Sequence, residues 1–118
     1  MTQTFSTASL LHGGDYNPEQ WLNQPEILEK DMEYFKKAKI NTVTLGVFSW
    51  AVLEPEEGRY EFEWLKTIIN RLYENGISTI LATPSGARPK WLADKYPEVL
   101  RVDEKRRRAL FGGRHNHC

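Results

Sequence analysis

The chain has almost no cysteine. Cys118 stands alone, so no internal disulfide can brace the fold. Net charge is also missing: sixteen Lys and Arg offset sixteen Asp and Glu. Without a basic excess the chain does not read as a dedicated nucleic-acid binder. No apolar run approaches the length needed to span a bilayer. Residues 1–9 have neither a basic n-region nor a long apolar h-region, so no signal peptide is read there. No glycine-rich phosphate fingerprint of the G-x-G-x-x-G or P-loop type follows any apolar segment. These absences favour a soluble cytoplasmic protein with no nucleic-acid and no membrane partner. A length of 118 residues allows one domain at most.

What is present is a repeated change of hydrophobic period. Leu10 to Gly14 is short, apolar and ends on glycine, and reads as a strand or a strand end. Pro25 opens a helical stretch to about Lys39, since proline suits the first helical position. Leu28, Met32, Phe35 and Ala38 form its apolar face at three- and four-residue spacing. Thr42 to Val47 alternates and is β-branched, as a strand requires. Trp64 to Asn75 carries the stripe Leu65, Ile68, Ile69, Leu72 and Tyr73, and Gly76 stops it. Ile77 to Thr83 reads as a third strand, and Pro89 to Lys95 as a short helix closed by Pro97. Strand–helix alternation implies parallel strands with crossover helices. With no nucleotide fingerprint, the expected fold class is α/β, the first three βα units of a truncated (β/α)8 TIM barrel. A whole barrel takes about 250 residues.

Barrel chemistry sits at the C-terminal ends of the strands. Those ends read His12-Gly13-Gly14-Asp15-Tyr16-Asn17, then Phe48-Ser49-Trp50 with Glu54, then Thr83-Pro84-Ser85-Gly86 with Arg88. Aromatic faces beside carboxylates and arginine suit a sugar site, and two carboxylates suit acid/base work on a glycosidic bond. The plainer alternative is that Asp15 and Glu54 cap loops or pair with Arg59 or Arg88. The stretch FSWAVLEPEEGRYEFEWL, residues 48–65, is unusual for a loop because it interleaves five aromatics with five glutamates. Tyr60, Phe62 and Trp64 are expected to pack it onto the body, since aromatics carry large apolar area. Trp50 is open to either role. His115, His117 and Cys118 offer zinc-ligand atoms, but a structural zinc takes four ligands and no fourth is evident.

Five segments carry a resemblance. HGGDYNPEQW (12–21), NTVTLGVFSWAVLEPEEGRYEF (41–62), ENGISTILATP (74–84), PKWLADKYPEVL (89–100) and FGGRHNHC (111–118) together resemble the N-terminal region of glycoside hydrolase family 42 β-galactosidases. The resemblance runs from Leu11 onward. It implies retaining hydrolysis of terminal non-reducing β-D-galactose residues, with residues 1–118 as the N-terminal part of the catalytic barrel domain. It implies a general acid/base glutamate after the fourth barrel strand and a nucleophile after the seventh. Neither has a counterpart here, so no catalytic residue is carried over and the chain alone is expected to be inactive. Asp15 and Glu54 do not match those positions.

The resemblance further implies that Arg114, in Phe111-Gly112-Gly113-Arg114, binds galactose hydroxyls. Cys118 matches one of four cysteines that hold a structural zinc, the other three falling beyond residue 118. Family members are often homotrimers. Phe48 and Trp50 are expected to help wall the galactose pocket. The sequence departs from the family at His115-Asn116-His117, where x-His-Tyr is usual, and at Lys39, where a helix-ending glycine is usual. The alternatives are another barrel glycosidase acting on a different sugar and a non-catalytic carbohydrate- or metal-binding module.

Overall fold

The structure is a computed structural model and describes residues 10–112. Three strands, β1 (Gly13–Tyr16), β2 (Thr42–Leu45) and β3 (Ser78–Leu81), form one parallel sheet in the order β1-β2-β3. Gly13 lies opposite Thr42, and Thr42 opposite Ser78. Parallel neighbours need a crossover between them. Helix α1 (Pro25–Lys37) supplies the first. The second contains a short helix α2 (Trp50–Leu53) and then α3 (Glu63–Glu74). Helix α4 (Lys90–Lys95) follows β3. No helix among the described residues is long and apolar enough to cross a membrane.

The described residues divide into two compact units, 10–47 with 62–83, and 48–61 with 84–112. The first holds the sheet with α1 and α3. Its core is Met32, Val43, Leu45, Leu65, Ile68, Leu72 and Ile77, all buried. The central strand β2 buries Thr42, Val43 and Leu45, whereas β1 and β3 are mostly exposed. On the outer surface Arg71 of α3 holds Glu29 of α1 with both arms of its guanidinium, its Nε donating to Oε1 at 2.9 Å. The second unit holds α2, the glutamate-rich loop, α4 and the turn that follows.

Both long helices end on the same backbone motif. At α3 the Ile77 amide donates to the Leu72 carbonyl and the Gly76 amide to Tyr73, with Gly76 at φ 74°. At α1 the Ile40 amide donates to Phe35 and the Lys39 amide to Lys36, with Lys39 at φ 58°. This is the Schellman closure, which wants a left-handed residue at its turning point. Lys39 therefore takes the left-handed turning position that glycine usually fills, and the helix stops there.

Three sequence expectations are corrected. The first strand is Gly13–Tyr16, not Leu10–Gly14, because pairing with β2 selects residues by backbone position rather than by apolarity. The later strands are shorter than their apolar runs, since only the paired segments are regular. Tyr73 is 80% exposed, so the α3 stripe narrows to Leu65, Ile68 and Leu72.

Candidate functional site

The first unit gathers polar groups just past β1. The Tyr16 hydroxyl donates to Asp31 Oδ2 at 2.7 Å, and its ring meets Phe35 edge-on at 5.0 Å. Burial raises the Tyr16 pKa far above its usual value, and the Asp31 carboxylate raises it further, so the phenol stays protonated. Burial also raises the Glu19 carboxyl. Asn17 Oδ1, Glu19 Oε2 and Trp64 Nε1 are buried with no hydrogen-bond partner among the described residues. Beside them lies a mainly apolar cleft of about 230 Å³, lined in part by Tyr16, Trp21, Leu28, Asp31, Trp64 and Ile68. Asp15 is exposed within β1, opposite Thr44.

The second unit is built around Glu54. Ser49, fully buried, opens α2, and its carbonyl accepts from the amides of Val52 and Leu53. Four residues on from Trp50, one helical turn, stands Glu54. Trp50 Nε1 donates to Glu54 Oε2 at 2.7 Å, and the Gly58 amide donates to Oε1 at 2.9 Å. The Glu54 main-chain carbonyl accepts from Trp91 Nε1 of α4 at 2.8 Å. The Gly58 amide first, then the Trp50 indole, hold the Glu54 carboxyl below its usual pKa, with the Tyr60 hydroxyl contributing. Glu54 is 9% exposed, and among the described residues its charge is met by the Trp50 indole, the Gly58 amide and the Tyr60 hydroxyl. Of the plainer alternatives for Glu54, loop capping holds through the Gly58 amide, whereas Arg59 engages Glu56 and Glu61, at 3.3 and 2.9 Å.

A second carboxylate ties the same loop to α4. The Tyr96 hydroxyl donates to Glu57 Oε1 at 2.7 Å, and Lys95 Nζ donates to the other oxygen. Lys95 holds the Glu57 carboxyl below its usual pKa, and Glu57 in turn raises both Lys95 and Tyr96. Lys95 also lies over the Tyr96 ring, 5.5 Å from its centre.

The aromatics of residues 48–65 therefore divide. Trp64 is partly buried, as packing requires, and lines the cleft of the first unit. Tyr60 and Phe62 are 59% and 55% exposed, against the expectation that they pack the loop down. Carboxylates and backbone bonds pin the loop instead, including Glu61 N–H to the Leu53 carbonyl at 2.8 Å. Phe48 is exposed and Trp50 half-buried. Arg114, Cys118, His115 and His117 lie outside the described residues. Among the described residues, no three His, Cys, Asp or Glu side chains converge on a possible metal position.

Parallel strands joined by crossover helices place the chain among the α/β proteins. A family model described as β-galactosidase, glycoside hydrolase family 42, matches residues 15–118. The chain belongs to that family. It is 61% identical over 109 residues to β-galactosidase GalA of Bacillus licheniformis and 61% over 108 residues to β-galactosidase BglY of Alicyclobacillus acidocaldarius. Each match covers 92% of this chain and 16% of the relative. Among solved structures it is similar to a cold-adapted β-galactosidase from Rahnella, at a TM-score of 0.90 and 61% identity, covering 95% of this chain and 16% of that one. It is also similar to Gan42B, a family 42 β-galactosidase, at 0.87 and 62%, covering 92% and 16%. The chain thus spans about one-sixth of the length of the relatives it matches.

Proposed function

We propose that residues 1–118 are the N-terminal part of the catalytic (β/α)8 barrel domain of a retaining β-galactosidase and supply its first three βα units. The enzyme would release terminal non-reducing β-D-galactose from β-D-galactosides. What carries this reading is the likeness at about 61% identity, over nine-tenths of the chain, to proteins named β-galactosidases. The strand order β1-β2-β3 with intervening helices supports the barrel reading. In it Arg114 binds galactose hydroxyls, and Phe48 and Trp50 help wall the pocket. Cys118 is one thiolate ligand of a structural zinc in a cytoplasmic homotrimer of carbohydrate metabolism.

Arg114 provides the test. A guanidinium offers several fixed donors and keeps its charge, which suits clamping of hydroxyls beside a carboxylate. In the intact enzyme carrying this segment, a chromogenic β-galactoside should be hydrolysed with retention. Arg114→Ala should lower kcat/KM by at least about tenfold, from loss of a charged hydrogen bond worth roughly 1.5–3 kcal/mol. An unchanged kcat/KM in a well-folded variant removes Arg114 from the substrate site. Absence of any galactoside turnover by the parent enzyme removes the function.

A further inference from the structure

Glu54 is a buried carboxylate that the two-glutamate chemistry of the family reading does not use. Its two oxygens are committed separately, Oε2 to the Trp50 indole and Oε1 to the Gly58 amide. Both partners are donors, so the site needs an acceptor at each oxygen. An ionised carboxylate provides that, whereas a carboxamide of the same shape turns a donor toward one of them. The main-chain carbonyl of the same residue accepts from Trp91. Glu54 thus joins α2, the Gly58 turn and α4 at one point. An indole whose single N–H is already taken cannot donate to a ligand. What half-buried Trp50 has left to offer is the face of its ring.

We infer that Glu54 is a positioning residue for galactoside binding, acting by holding the Trp50 indole so that its ring face, not its N–H, meets the C–H face of the sugar. This rests on the proposed β-galactosidase function. A held ring meets the sugar without first losing rotamer freedom, and that freedom is part of what binding otherwise costs. The contact exists before and during the chemical step alike, so its loss falls mainly on KM.

The experiment is steady-state kinetics of the intact enzyme on a chromogenic β-galactoside, with Glu54→Gln, Trp50→Phe and the double variant. Phenylalanine keeps an aromatic face but removes the N–H. Each single variant should raise KM about three- to tenfold, as expected for one charge-assisted hydrogen bond, with kcat within about twofold. The double variant should be no worse than the worse single one, because both act through the same hold on the Trp50 ring. Glu56→Gln, at a carboxylate whose side chain is 73% exposed, should leave both constants unchanged. Unchanged KM in folded Glu54→Gln and Trp50→Phe overturns the inference, as do effects that multiply in the double variant. A fall in melting temperature with intact constants per active site assigns Glu54 to structure alone and overturns it too. Should Glu54→Gln fail to fold, Glu54→Asp, which keeps the charge but shortens the reach to the Trp50 indole, decides by the same KM criterion. Loss of galactoside turnover in the parent enzyme is a different result, and it removes the function on which the inference rests.

Discussion

A Cβ built on Gly13 would lie 1.6 Å from the Thr42 carbonyl oxygen, a main-chain atom in the neighbouring strand. Nothing flexible stands there to move aside. Close backbone approach is one of the few reasons for glycine inside a strand. The next residue is a natural control: a Cβ on Gly14 meets nothing within 4 Å. Gly13→Ala should therefore destabilise the first unit by more than about 3 kcal/mol, at the severe end for overpacking. Gly14→Ala should stay within roughly 0.5 kcal/mol. Soluble yield and thermal melting of the two variants in the intact enzyme would separate them, and equal behaviour would contradict the geometry. The sequence displayed Gly13-Gly14 but not their difference, which arises only from the pairing register. Glu54 was half-visible in the same way. Its place four residues after Trp50 allows a one-turn indole–carboxylate bond, whereas its second partner, Gly58, depends on a loop path that no periodicity specifies.

Among the elements, the two helix ends form a matched pair, alike in their two closing hydrogen bonds and different in the residue at the turn. A left-handed conformation costs an L-residue roughly 1–2 kcal/mol, and glycine does not bear that cost. Lys39→Gly should therefore tighten the end of α1, with part of the gain offset by greater chain freedom when unfolded. The net is about 0.5–1 kcal/mol. Gly76→Ala should loosen the end of α3 by a similar amount. Hydrogen exchange at the Ile40 and Ile77 amides, which close the two motifs, reads this directly: slower at Ile40 in the first variant, faster at Ile77 in the second. Exchange moving the other way at either amide would refute the pairing. Helices were more legible than strands here because a 12-residue stripe leaves a strong periodic mark. Helix α2, at four residues, is too short for any period to appear. Strand β1 has little β-propensity in Gly-Gly-Asp and forms because β2 lies beside it.

For the molecule as a whole, the deciding feature is a sheet of three strands whose outer two have one neighbour each among the described residues. Parallel sheets are ordinarily covered on both faces, and their strands are apolar accordingly. Here β3 carries Ile80 and Leu81 at 49% and 59% exposure, while the central β2 is almost wholly buried. Unpaired strand edges are templates for association. An edge that also presents Ile and Leu adds an apolar drive. The strands at Thr42–Val47 and Ile77–Thr83 were legible in the sequence, but how much of each would find cover was not, since cover comes from partners remote in the chain. The 118-residue chain expressed alone should therefore sediment as associated species or as a loose monomer, with a broad urea transition and a low m-value for its size. Replacing Ile80 and Leu81 with Thr and Lys should reduce the association, because a charged edge resists pairing. A soluble monomer with one sharp, cooperative transition would show instead that these three strands and their helices are self-sufficient.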